Sequence, residues 1–217
     1  MCVKKKKKKK KMPVVMCIDV GVRNLGVSVT HISEDYMSRE VIWFDLIDLT
    51  AFRHRDTTRE ECDLHHTRNF ADWVEHFVQD HLAFIEYADL ILIEKQPPQG
   101  LVAVEQLLFA RFRSKTQLIH PRRVHSYLRI GHLTYEERKH AVVKIVEREL
   151  PEGMREQFSW YERKHDMADS LVMMMYYCAQ KVVEHKRRAQ RELLTRVEDG
   201  LTIVERLERF RYLPKKC

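Results

Sequence analysis

Residues 14–29 read VVMCIDVGVRNLGVSV, and this stretch decides the fold class. Its first five residues are all apolar, the pattern of a strand covered on both faces, and Asp19 closes the run. After a turn around Gly21 and Asn24 the apolar pattern resumes through GVRNLGVSVTHI, and REVIWFDLIDL comes next. Three such runs joined by short turns predict an antiparallel meander.

From Thr57 to about Tyr87 the apolar residues fall at helical spacing: Phe70, Trp73, Val74, Phe77, Val78 and then Leu82. ADLILIE is a further buried strand, ended at Glu94 by KQPPQG, which neither a helix nor a central strand accommodates. LVAVEQLLFARF then reads as a helix, TQLIH as a short strand and TYEERKHAVVKIVEREL as an amphipathic helix. Thr134 and Glu137 have the spacing of a capping box at its start. A last helix opens at Asp166 and runs through LVMMMYYCAQKVVEH. A charged amphipathic extension follows, with Leu193, Val197, Leu201, Val204 and Leu207 near one face. Three strands followed by alternating helices and strands predict an α/β fold around a mixed sheet. The expected organisation is a disordered poly-lysine tail (1–13), an α/β domain (14–186) and a helical extension (187–217).

Net charge is +7, but Lys4 to Lys11 alone contribute +8, so the rest of the chain carries −1. That remainder is polarised. Residues 31–94 hold 15 acidic against 5 basic residues, and residues 95–217 hold 25 basic against 16 acidic. Such asymmetry fits a face that meets a polyanion, and equally a set of solvated helices. The lysine run fits non-specific DNA affinity or a nuclear address. No run of 18 apolar residues exists, so no membrane span is expected, and no apolar segment follows the lysines as a secretory signal requires. The five cysteines lack paired-ligand spacing and read as reduced thiols of an intracellular protein. CDLHH, with Cys62, His65 and His66, is a poor metal motif. Met173 to Met175, Trp73 and Phe77 read as core.

Four acids sit in places that solvation does not explain. Asp19 and Glu94 each end an apolar strand, and Asp166 and Asp169 open an apolar helix. An aspartate before a helix is an ordinary N-cap, and an acid three residues on suits the helix's positive end. A turn reading serves Asp19 alone just as well. Yet positions i and i+3 share one helical face, and ligand sites in open α/β sheets form where strands end. If the two strands are adjacent and parallel, all four carboxylates converge, and they cannot all stay ionised without cations. Hard oxygen ligands suit magnesium or manganese. Two such ions suit in-line displacement at a phosphate, with Asp19 bridging both, Glu94 on one and the Asp166/Asp169 pair on the other.

CIDVGVRNLGVSV, LILIEKQPP, YEERKHAVVKIV and RKHDMADSL stand in the order and spacing of the RuvC-like Holliday junction resolvases. The chain most resembles the branch shared by poxviruses, other large DNA viruses and fungal mitochondria, over roughly residues 14–180. The resemblance implies an RNase H-like fold, a homodimer, two Mg2+ per site (Mn2+ as the substitute) and paired nicking of four-way junction DNA. Asp19, Glu94, Asp166 and Asp169 match the family's metal-binding acids. Arg23 and Asn24 match the turn after the first strand, Lys95 and Gln96 the pair after the glutamate, and Arg138 and Lys139 a basic cluster on a helix. These six are candidate DNA contacts. His165 departs from relatives that carry an acid before the first helix aspartate; it either orients water or phosphate, or is a simple exposed side chain. His140 stands where relatives carry a second basic residue. The implied setting is intracellular, for a viral protein in its host's cytoplasm or nucleus; a lysine-only run fits a mitochondrial transit peptide poorly.

Two other readings remain: an RNase H-like nuclease for RNA–DNA hybrids or flaps, and a non-catalytic DNA-binding module whose acids only cap helices. A sugar-kinase fold also begins Asp-x-Gly, but it needs glycine-rich phosphate loops, and this chain has only six glycines. No small-molecule cofactor and no membrane partner are expected.

Overall fold

The computed structural model describes residues 12–51 and 69–200, with side chains through residue 195. The chain divides into two units, residues 1–178 and 179–217. In the first, strands β1 (Val14–Asp19), β2 (Leu25–Ile32), β3 (Arg39–Ile47), β4 (Leu90–Glu94) and β5 (Thr116–Ile119) form one sheet of order β3-β2-β1-β4-β5. β1–β2 and β2–β3 pair antiparallel, whereas β1–β4 and β4–β5 pair parallel. The mixed sheet that the sequence predicts is therefore present, with the meander at one side.

Because strand side chains alternate, the sheet feeds two cores. Met16, Ile18, Ile91 and Ile93 pack with Val74, Phe77 and Val104 from helices α1 (Phe70–Asp80) and α3 (Val102–Arg111). Val15, Cys17 and Leu92 instead pack with Val142 and Val146 of α5 (Tyr135–Glu149) and with Met167 to Cys178 of α7 (Lys164–Gly200). Met173, Met174 and Met175 are buried here, and Phe77 is buried in the other core, as core residues should be. Cys17 and Cys178 are free and buried. The capping box is complete: Thr134 Oγ1 accepts from Glu137 N, and Glu137 Oε2 accepts from Thr134 N at 2.8 Å.

Three sequence expectations need correction. The helical segment ending near Tyr87 breaks at His81, whose φ −115° and ψ 17° leave the helical region, giving α1 and the short α2 (Leu82–Tyr87). Residues 57–68, with Cys62, His65 and His66, lie outside the described residues. Two helices went unread: α4 (Pro121–Tyr127) begins with proline at its first position, and α6 (Glu152–Ser159) follows Pro151. Finally, α7 starts at Lys164, so Asp166 lies within its first turn and is not its cap.

In the second unit, α7 carries the ion pairs Lys181–Glu184 at 2.7 Å and Arg188–Glu192 at 2.9 Å, with Leu193 and Leu194 exposed. The lysine run and residues 201–217 lie outside the described residues.

Candidate active site

In the parallel pair, Ile18 stands opposite Ile93. Asp19 and Glu94 are the next residues, at the carboxyl-terminal edge of adjacent strands. Asp19 has the parity of Val15 and Cys17, and Glu94 that of Leu92, so both carboxylates leave the sheet on the α7 side. The partner of Asp19 on β2 is Gly26. A β-carbon on Gly26 would overlap the backbone carbonyl of Asp166, so glycine is what lets the α7 N-terminus close onto the sheet at this point.

The closure brings Asp169 into one narrow pocket with Asp19 and Glu94, walled by Val124, His125 and Val172 among others. Burial, then the neighbouring carboxylates Glu94 and Asp169, push the Asp19 carboxyl well above its ordinary range. Asp19 and Glu94 share a hydrogen bond, and the Glu94 carboxyl is also raised, chiefly by burial. Asp169 is pushed up to about 7, first by burial and then by Glu94 and Asp166, against the pull of Lys139. Three buried carboxyls whose charged forms are disfavoured together form a hard-oxygen donor set that a divalent cation fits.

Asp166 is drawn elsewhere. Its carboxylate accepts from Arg163 Nε at 2.8 Å and lies 3.2 Å from His165 Nε2. Accordingly, no group of three or more His, Cys, Asp or Glu side chains among the described residues is spaced to hold a metal as it stands. Burial lowers the His165 imidazole while Asp166 opposes the change.

The candidate DNA contacts fall into separate surroundings. Arg23 is exposed and Asn24 half-buried in the β1–β2 turn, and neither side chain makes a hydrogen bond among the described residues. Lys95 is exposed, its N–H continuing the sheet to the Ile119 carbonyl at 2.8 Å. Gln96 is engaged within the protein: its amide donates to Glu94 Oε2 at 2.8 Å and accepts from Leu101 N at 3.2 Å. Arg138 donates to the Leu133 carbonyl at 2.6 Å. Lys139 Nζ stands 4.1 Å from the Tyr135 ring centroid and 3.8 Å from Glu136, and its charge acts on Asp166 and Asp169.

Three residues near the site had no part in the sequence reading. Glu105, 3% exposed, accepts from the backbone N–H of Gln96 and so braces the loop that holds Glu94. Its signal was an acid on the apolar stripe with Val104 and Leu108. His120 caps α4, its Nδ1 accepting from Arg122 N, and its charge acts on Glu94. His125 lines the pocket itself, and was hidden because PRRVHSY carries no strong period.

Comparison with known proteins decides the family. The model of the family described as "Poxvirus A22 protein" matches residues 13–181. The chain belongs to that family. Its fold is also that of two solved structures. The yeast mitochondrial Holliday junction resolvase Ydc2 is similar with TM-score 0.59 and 18% identity, covering 84% of this chain and 87% of the other. The fowlpox virus resolvase, solved in complex with substrate Holliday junction DNA, is similar with TM-score 0.56 and 15% identity, covering 77% of this chain and 97% of the other. No curated protein matched. The RuvC-like resemblance read from the four motifs, over residues 14–180, thus agrees with the family match in kind and in extent, and the fold is RNase H-like. No helix among the described residues is long and apolar enough to cross a membrane.

Proposed function

We propose that this Poxvirus A22 family protein is a magnesium-dependent endonuclease that resolves four-way DNA junctions by paired nicking. The observation that carries the reading is the convergence of Asp19, Glu94 and Asp169 on one pocket at the carboxyl ends of two parallel strands. Asp19, Glu94, Asp166 and Asp169 are the residues that would hold two divalent cations, Mg2+ by preference with Mn2+ as the substitute. When bound, such cations polarise a phosphoryl oxygen and lower the pKa of a coordinated water.

The chain's own groups have separable tasks in this reading. Gln96 fixes the Glu94 carboxylate, and Glu105 fixes Gln96. Arg163 and His165 hold the Asp166 carboxylate in orientation. Lys139 supplies positive charge beside Asp169, where a phosphate bound on the acids carries its negative oxygens. Arg23, Asn24, Lys95 and Arg138 contact the DNA backbone around the site. The products are a 5′-phosphate and a 3′-hydroxyl, and two copies of the chain in a homodimer present one site to each of two opposed strands. The setting is intracellular.

Cleavage of a synthetic four-way junction, an RNA–DNA hybrid and a 5′ flap, each with and without Mg2+, tests the reading. Symmetric, Mg2+-dependent nicks in the junction alone support it. Preferred cleavage of the hybrid or the flap assigns the fold to the other nuclease class, and salt-sensitive binding with no cleavage under any metal assigns it to a DNA-binding module.

A further inference from the structure

We infer that His125 contacts the substrate, its imidazole hydrogen-bonding the scissile phosphate from the α4 side of the pocket. The inference rests on the reading of the site as a phosphodiester-cleaving centre, and assigns it a residue outside the four acids.

The pocket has three walls. Strand ends supply Asp19 and Glu94, α7 supplies Asp169, Val172 and Met173, and the α4 region supplies Ile119, Pro121, Val124 and His125. His125 is the polar side chain of that third wall. Its neighbours at the site are already engaged: Glu94 with Gln96, Asp166 with Arg163, Lys139 with Glu136. The His125 ring, half-buried, makes no hydrogen bond or ion pair among the described residues. His120, the other histidine of this segment, has its Nδ1 committed to the Arg122 N–H.

The ring is also held in place. Val124 and Ile130, 7% and 5% exposed, anchor the chain on either side, and the Ile130 N–H donates to the His125 carbonyl at 3.0 Å. Arg129, at φ 58°, turns the chain back at the end of α4 (Pro121–Tyr127). A side chain pre-positioned this way meets a ligand without paying much ordering entropy.

Charge explains why histidine suits the place. A lysine or arginine against Asp19 and Glu94 would form an ion pair with them. An imidazole kept neutral by burial and by Arg138 donates one hydrogen bond and leaves the acids free. His125 then approaches the phosphate from the α4 wall, while the Lys139 charge acts beside Asp169.

The test uses the full-length protein and a synthetic four-way junction. His125→Ala should slow single-turnover cleavage about 100-fold, the usual loss for one transition-state donor, with junction affinity and Tm unchanged. His125→Gln, which keeps a neutral donor, should recover at least tenfold of that loss. In Asp19→Asn protein, which binds without cutting, the His125 ring proton resonances should shift when the junction is added. Cleavage by His125→Ala within twofold of wild type, a Gln variant no faster than Ala, or an unmoved ring resonance overturns the inference. Wild-type protein that cleaves no junction overturns the proposed function and this inference together, whereas cleavage indifferent to residue 125 overturns this one alone.

Discussion

The α-carbon of Gly26 faces the backbone carbonyl of Asp166 so closely that a β-carbon at position 26 would overlap it. Gly26 is also the strand partner of Asp19, so one glycine sets how near the α7 carboxylates come to the β1 carboxylate. Gly26→Ala must push the α7 N-terminus outward. A shift of about 1 Å in a catalytic group costs on the order of 100-fold in rate, while overpacking costs roughly 1–3 kcal/mol of stability. Single-turnover cleavage together with urea unfolding should therefore show a folded protein with a crippled site.

Much of this arrangement was legible in the sequence because strand ends and helix starts are marked by abrupt changes of polarity. VVMCID and LILIE place Asp19 and Glu94 at strand ends, and Asp166-x-x-Asp169 places two acids on one helical turn. Side-chain parity then fixes the face. The rest depends on contacts between distant segments. Glu105 meets Gln96 only through the fold of the loop after β4, and His125 reaches the site only because α4 packs beside the strand ends. Asp166 reads as a cap because its partner Arg163 falls inside the same short segment, and only the helix start at Lys164 tells the two roles apart.

Asp169 gives the metal-free protein a pH signature. Its folded-state pKa is raised to about 7 from an ordinary 3.8, so the folded state binds more protons than the unfolded between those values. Stability from this group is fully present below pH 3.8 and is lost as pH rises through about 7. A divalent cation replaces the proton. Millimolar Mg2+ or Mn2+ should thus raise Tm more at pH 8 than at pH 5.5; a hundredfold excess over Kd at pH 8 stabilises the fold by about 2.7 kcal/mol. Thermal unfolding at the two pH values measures this, and an equal shift at both would contradict it.

Glu105 and Gln96 form a relay that ends on Glu94. Removing the Glu105 acceptor leaves the half-buried Gln96 N–H without its partner, so Glu105→Ala should cost about 1–3 kcal/mol in chemical denaturation. Gln96→Ala removes only the hydrogen bond to Glu94 and the one from Leu101. It should leave most of the stability and lower the cleavage rate about tenfold, the effect expected for support of a ligating carboxylate. Comparing kcat with junction affinity distinguishes this from lost DNA binding, because the account places the Gln96 side chain on Glu94.

The central claim is that the carboxylates act together as metal ligands for phosphodiester cleavage. Its most direct measurement is single-turnover cleavage of a four-way junction in Mg2+ by wild-type, Asp19→Asn and Glu94→Gln proteins, with junction affinity measured in parallel. Both variants should lose cleavage by at least about 1,000-fold with affinity retained. An Asp19→Asn protein that nicks the junction at the wild-type rate would contradict it.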